Sequence, residues 1–202
     1  MLESLPDAQQ AALQFLDYTI GPKDRAYVVS FDNEPYLLAK LTSRKDKLVR
    51  GLSGLRAEGS TALYDAIIYG LYQFTGIKGK KAIVLLTDGK DTTSKFDYDT
   101  LLEYVRKSGI AVYAIGLKIS GVDLEVKYKL NKIAQITGGQ TFYIDSAKNL
   151  ETIYKQINED LRAQYLLTYY SSNSEGKDRW RKVEVKVEPS KLEARTISGY
   201  YP

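Results

Sequence analysis

Residues 81–89 read KAIVLLTDG, an unbroken apolar run from Ala82 to Leu86 that closes on Thr87, Asp88 and Gly89. A strand with one solvated face alternates apolar and polar residues. A run without alternation fits a parallel strand covered by helices on both faces. Asp-Gly is a turn dipeptide, so the strand delivers the Asp88 carboxylate at its carboxyl end. In open α/β sheets, ligands collect in the crevice beyond those ends. An earlier segment, Gly59-Ser60-Thr61, brings hydroxyls to the start of an expected helix. A carboxylate and a hydroxyl meeting at a sheet edge suit a hard cation such as Mg²⁺, which takes oxygen ligands and keeps several waters.

Working outward, strands and helices alternate. Asp7 to Tyr18 has apolar residues near helical spacing and stops at Gly21-Pro22. Arg25 to Phe31 (RAYVVSF) reads as a strand. Tyr36 to Leu41 reads as its hairpin partner across Asp32-Asn33-Glu34-Pro35. A short helix is expected over Lys45 to Leu55. A longer one is expected to open at Gly59-Ser60, with Leu63, Ile67, Ile68 and Leu71 on one face. After the strand at Lys81–Thr87 come a helix (Asp97 to Lys107), a strand (Ile110 to Leu117), a helix (Leu124 to Ile136) stopped by Gly138-Gly139, a strand (Thr141 to Ile144) and a helix (Leu150 to Leu161). This order predicts an α/β fold with a doubly wound, mostly parallel sheet and helices on both faces.

Past Arg162 the pattern turns to β. Tyr165 to Tyr170, Trp180 to Val187 and Leu192 to Ser198 read as strands, and the turn Asn173 to Gly176 predicts a hairpin between the first two. The chain is therefore expected to divide into an α/β domain over 1–163 and a C-terminal antiparallel β extension over 164–202 packed on it.

Composition removes several chemistries. The 202 residues contain no His and no Cys, which excludes a Ser-His-Asp triad, His- or thiolate-ligated metal and disulfides. A net charge of +4 is too mild to mark a nucleic-acid binder. No apolar run reaches the ~18–20 residues of a membrane span, and no signal peptide is visible.

The motifs GST (59–61) and LTDG (86–89), in this order, together with the tail QYLLTYYSSN…RWRKVEVKV…ISGYYP, resemble a von Willebrand factor A (VWA) domain of the bacterial VWFA-related branch. The resemblance covers essentially the whole chain. It implies a metal-ion-dependent adhesion site (MIDAS) in three parts: a D-x-S-x-S run after the first strand, a Thr, and an Asp at a strand end. Thr61 matches the Thr and Asp88 the Asp; the D-x-S-x-S run has no counterpart. The expectation is that the first, central strand of the family's sheet is lacking. The sequence would then be a fragment or start at an internal Met, or another chain or segment would donate a strand to fill the gap.

The resemblance implies Mg²⁺ or Mn²⁺ at an incomplete site made by Thr61 and Asp88, with Ser60, Asp91 and Asp32 on its rim. It also implies a protein partner offering an acidic side chain, neither nucleic acid nor a membrane span, and an extracytoplasmic or secreted setting. The leading function is non-catalytic protein recognition or adhesion. A metal-free scaffold is the alternative. A Mg²⁺-dependent phosphoryl-transfer or hydrolytic enzyme comes third, for want of an evident nucleophile or base.

Plainer readings compete at each position. Ser60 and Thr61 serve equally as helix N-caps. Asp65 faces solvent or caps backbone, and Asp91, Thr92 and Thr93 read first as structural loop. Gly76 to Lys81 lacks phosphate-loop spacing and precedes a strand. Asp97 and Asp99 suit a helix start. The aromatic and basic tail residues Tyr165, Tyr169, Tyr170, Trp180, Arg179, Arg181, Lys182, Tyr200 and Tyr201 suit base or sugar stacking, but packing onto the main domain is the favoured reading.

Overall fold

The computed structural model describes residues 5–56, 59–119, 121–165, 167–172, 179–188 and 194–201. In chain order the elements are α1 (Leu5–Thr19), β1 (Ala26–Phe31), β2 (Pro35–Thr42), α2 (Lys45–Ser53), α3 (Leu63–Gln73), β3 (Ala82–Thr87), α4 (Tyr98–Ser108), β4 (Ala111–Leu117), α5 (Leu124–Thr137), β5 (Thr141–Ile144), α6 (Leu150–Ala163), β6 (Arg181–Lys182) and β7 (Gly199–Tyr200).

Strands β3, β4 and β5 form a parallel sheet in that order, with Ala82 opposite Ala111 and Ala114 opposite Thr141. The period-two alternation of a strand divides their side chains between two apolar layers. Leu85, Val112 and Ala114 pack with α3, α4 and α5, whereas Tyr113, Ile115 and Leu117 pack with α1 and α6. Strand β4, covered on both faces, is buried from Val112 to Leu117.

Strand β3 is not, although its sequence is as apolar. Ala82, Ile83, Val84 and Leu86 are only partly buried, because no described strand pairs with one lateral edge of β3. Strands β1 and β2 make a separate antiparallel ribbon that is not hydrogen-bonded to β3 among the described residues.

Helix starts and stops follow local chemistry. Asp97 caps α4, its side chain accepting from the Thr100 amide at 2.8 Å. Left-handed Gly109 and Gly138 end α4 and α5. Gly139 sits so close to β4 that a Cβ would lie 2.0 Å from the Val112 carbonyl oxygen, a backbone approach open only to glycine.

Two sequence expectations fail. Helix α3 begins at Leu63 rather than at Gly59-Ser60, and its N-cap Ala62 makes no side-chain cap bond. The amides of Ser60 and Thr61 instead bond to the side chains of Asn33 and Thr92, which holds them in a loop. In the tail, the only ladder among the described residues is the two-residue pairing of Arg181 with Tyr200 and Lys182 with Gly199. The described residues of 165–170 and 194–198 are not strand, and the turn expected at 173–176 lies outside the described residues, as does 189–193. The alternation over 183–188 does persist as alternating half-burial. The tail meets the main body through Ser198, whose amide donates to the Ile136 carbonyl. Tyr165, Tyr169 and Tyr170 are 90%, 61% and 101% exposed, so these rings do not pack onto the α/β body. Tyr169 and Trp180 meet Tyr200 and Tyr201 edge to face.

Candidate metal and recognition site

Three loops converge at the carboxyl ends of β1 and β3. The first follows β1, where Asn33 Oδ1 accepts from the Ser60 amide at 3.1 Å and the Asp32 carbonyl accepts from the Ala62 amide at 2.7 Å. The second, residues 59–62, is clasped to the third by Thr61 and Thr92. The Thr61 amide donates to Thr92 Oγ1 and the Thr92 amide donates to the Thr61 carbonyl, each at 2.9 Å. The third loop is tied to α3: Asp65 accepts from the amides of Lys95 and Phe96, both at 3.0 Å. Its neighbour Ser94 accepts from the Tyr64 and Asp65 amides at 3.1 Å.

This lattice sorts the residues singled out in the sequence. Ser60, Thr61 and Asp88 line one end of the opening between β1 and β3. Asp88 and Thr61 are half-buried there, and Ser60 is exposed. Asp91 is turned to another task, its carboxylate accepting from the Tyr64 amide at 3.2 Å and from the Ser94 hydroxyl. Asp32 accepts from the Glu34 amide at 3.3 Å and so holds the β1–β2 turn. Asp65 is buried and caps loop backbone, the second of the two readings its sequence position allows. Asn33 and Ser94 were not singled out. Their only sequence signal is that both residue types bond backbone in loops.

Cations flank the rim. Lys95 pairs with Glu34 at 2.8 Å, which raises its pKa. Lys129, bonded to Glu125 at 2.6 Å, is also shifted up and lies 5.3 Å from the Tyr98 ring centre. Desolvation pushes the Tyr98 phenol up to about 12.

Among the described residues, no group of three or more His, Cys, Asp or Glu is placed to hold a metal. The donors at the rim are one carboxylate and two hydroxyls. A Mg²⁺-type ion held through few protein oxygens and several waters fits that set; a fully protein-caged ion does not.

The profile of the von Willebrand factor type A domain matches residues 3–156. The uncharacterized protein YwmC of Bacillus subtilis (strain 168) is 27% identical over 157 residues, which is 76% of this chain and 66% of that protein's length. An aerotolerance-related membrane protein from Bacteroides fragilis superposes with a TM-score of 0.63 at 21% identity, over 79% of this chain and 89% of that one. The vWF domain of the type V pili tip protein Mfa5 from Porphyromonas gingivalis superposes at 0.66 with 12% identity, over 84% and 90%. At these identities the structures are alike in fold.

Proposed function

This chain belongs to the von Willebrand factor type A domain family, and from that membership we propose that it is a non-catalytic protein-recognition module whose contact surface is the rim of Ser60, Thr61 and Asp88. The observation that carries this reading is the gathering of these three residues at the carboxyl end of β3, on loops fastened to one another through side chains. A contact surface built on fastened loops loses little conformational freedom when a partner docks.

Thr61 and Asp88 would hold a Mg²⁺ or Mn²⁺ ion together with waters, and the ion would supply an unfilled position for a partner's carboxylate. An under-coordinated dication attracts an acidic side chain far more strongly than a neutral surface does. Asp88 takes that role as the carboxylate just past the end of β3 on the lining of the opening.

A metal-free scaffold is the second reading, favoured by the small donor set at the rim. Relatives described as a membrane protein and a pili tip protein support an extracytoplasmic setting for this chain.

Binding to an array of Glu- and Asp-bearing peptides, in Mg²⁺ or in EDTA, tests the proposal. Retention in Mg²⁺ that EDTA removes and Asp88→Ala abolishes is expected. Retention indifferent to both would leave the scaffold reading.

A further inference from the structure

Helices that cross over a parallel sheet run back to the pole where the next strand begins, so that pole collects helix carboxyl ends and strand amino ends. Here it is drawn together by bonds between segments far apart in the chain. Arg162, in the last turn of α6, donates to the Tyr18 carbonyl in the last turn of α1 at 3.4 Å. Lys80, just before β3, donates to the Gln164 carbonyl just past α6. Tyr27, at the start of β1, donates to the Gly70 carbonyl in the last turn of α3 at 2.9 Å.

This amino pole is basic. Lys23 and Arg25 lie between α1 and β1, Lys78, Lys80 and Lys81 between α3 and β3, and Arg162 at the end of α6. All but half-buried Lys81 are exposed, and none of them enters an ion pair among the described residues. Of the acids nearby, Asp17 pairs with Lys45 and Asp160 with Arg195, Asp24 accepts from the Gly21 amide at 3.0 Å, and Glu159 lies one turn before Arg162. The carboxyl pole differs, since its cations Lys90 and Lys95 pair with Asp123 and Glu34. A helix dipole accounts for a cation in a last turn, such as Arg162, but not for those in the connecting segments.

Exposed rings stand among these cations. Tyr18, in the last turn of α1, is 60% exposed, and Tyr72, in the last turn of α3, is 71% exposed. Tyr165, next to the Gln164 that holds Lys80, is exposed as well. Unpaired cations alone would suit any polyanion. The rings narrow the choice, because α1 packs on one face of the sheet and α3 on the other. They therefore surround the pole, whereas a single-stranded nucleic acid asks for rings in succession along one groove. Tyrosines set around a basic pole suit a membrane surface, where an apolar ring body and a polar tip are both satisfied.

We propose that the amino pole docks on the surface of an anionic lipid bilayer. Lys23, Arg25, Lys78, Lys80 and Arg162 meet the lipid phosphates, and Tyr18, Tyr72 and Tyr165 sit at headgroup level. Docking of this kind is peripheral and is screened by salt. It turns the opposite pole, with Ser60, Thr61 and Asp88, away from the bilayer. It uses no metal at Asp88, so it stands or falls separately from the recognition reading.

The test is sedimentation of the full chain with vesicles of about one third phosphatidylglycerol in phosphatidylcholine, beside vesicles of phosphatidylcholine alone. Saturable binding to the anionic vesicles only, released by added salt, is expected of the native chain. Lys23→Gln, Lys78→Gln and Lys80→Gln combined should weaken it roughly a hundredfold, at about fivefold per cation. Lys90→Gln, Lys118→Gln and Lys148→Gln combined remove the same charge from the carboxyl pole and should leave it within about twofold. Tyr18→Ser with Tyr165→Ser, which leaves the charge unchanged, should weaken it about fivefold or more. Urea unfolding midpoints matching the native chain's confirm that each variant folds. The proposal is overturned by no binding to either vesicle, by equal binding to both, by equal losses from the two triple sets, or by tyrosine substitutions without effect. Tighter binding to a single-stranded oligonucleotide than to the anionic vesicles would also overturn it, putting nucleic acid in the membrane's place.

Discussion

Thr61 and Thr92 hold each other by two hydrogen bonds, the Thr61 amide to Thr92 Oγ1 and the Thr92 amide to the Thr61 carbonyl, each 2.9 Å. The pair couples the loop ahead of α3 to the loop after β3, and so sets where Thr61 stands relative to Asp88. Thr92→Val keeps the shape and removes the acceptor. It is expected to cost about 0.5–1.5 kcal/mol and to speed amide exchange at Thr61, read by urea unfolding and by hydrogen exchange.

Asp65 fastens the other side of the same loop. It is 8% exposed and accepts from the Lys95 and Phe96 amides. Asp65→Asn retains only one acceptor oxygen on its side chain, so one of these amides loses its partner. Stability should fall by about 1–3 kcal/mol, with faster exchange at Lys95 and Phe96 and little change in β4.

Within the core, Thr137 Oγ1 accepts from the Val112 amide at 3.0 Å and faces the Ile133 and Ala134 carbonyls at the same distance. Thr137→Val fills the same volume and leaves the buried Val112 amide unsatisfied. A loss of about 1–3 kcal/mol in chemical unfolding is expected; an unchanged midpoint would contradict the role given to this hydroxyl.

The Thr100 amide at the start of α4 holds the Asp97 carboxyl below its usual range. Because folding lowers this pKa, ionised Asp97 contributes stability above the unfolded carboxylate value near about pH 4, and the contribution vanishes as pH falls through the lower folded value. The stability difference between the native chain and Asp97→Ala should therefore be flat from neutral pH to about pH 5 and shrink below about pH 4.

The main elements were legible because their patterns are strong. The apolar run of β4 and the Gly138 stop after α5 both appear where their residues put them. The start of α3 was not legible, since the side chains of Asn33 and Thr92, 27 and 31 residues away along the chain, hold Ser60 and Thr61 out of the helix. The half-burial of β3 was equally hidden, because exposure at a strand edge depends on its neighbour and not on its own side chains. Of the site, Asp88 follows the strand end that the sequence marks, whereas Ser60 and Thr61 reach the opening from a loop and not from the helix start expected for them. The separate employment of Asp91 and Asp32 follows from backbone bonds that it does not. The tail misled through its alternation, which persists as half-burial over 183–188 without a long ladder.

Calorimetric titration of Mn²⁺ into the 202-residue chain, with Asp88→Ala beside it, tests metal-assisted recognition most directly. Saturable binding to the native chain that Asp88→Ala eliminates is the predicted result. An absence of binding to the native chain, or binding that survives Asp88→Ala, would contradict it.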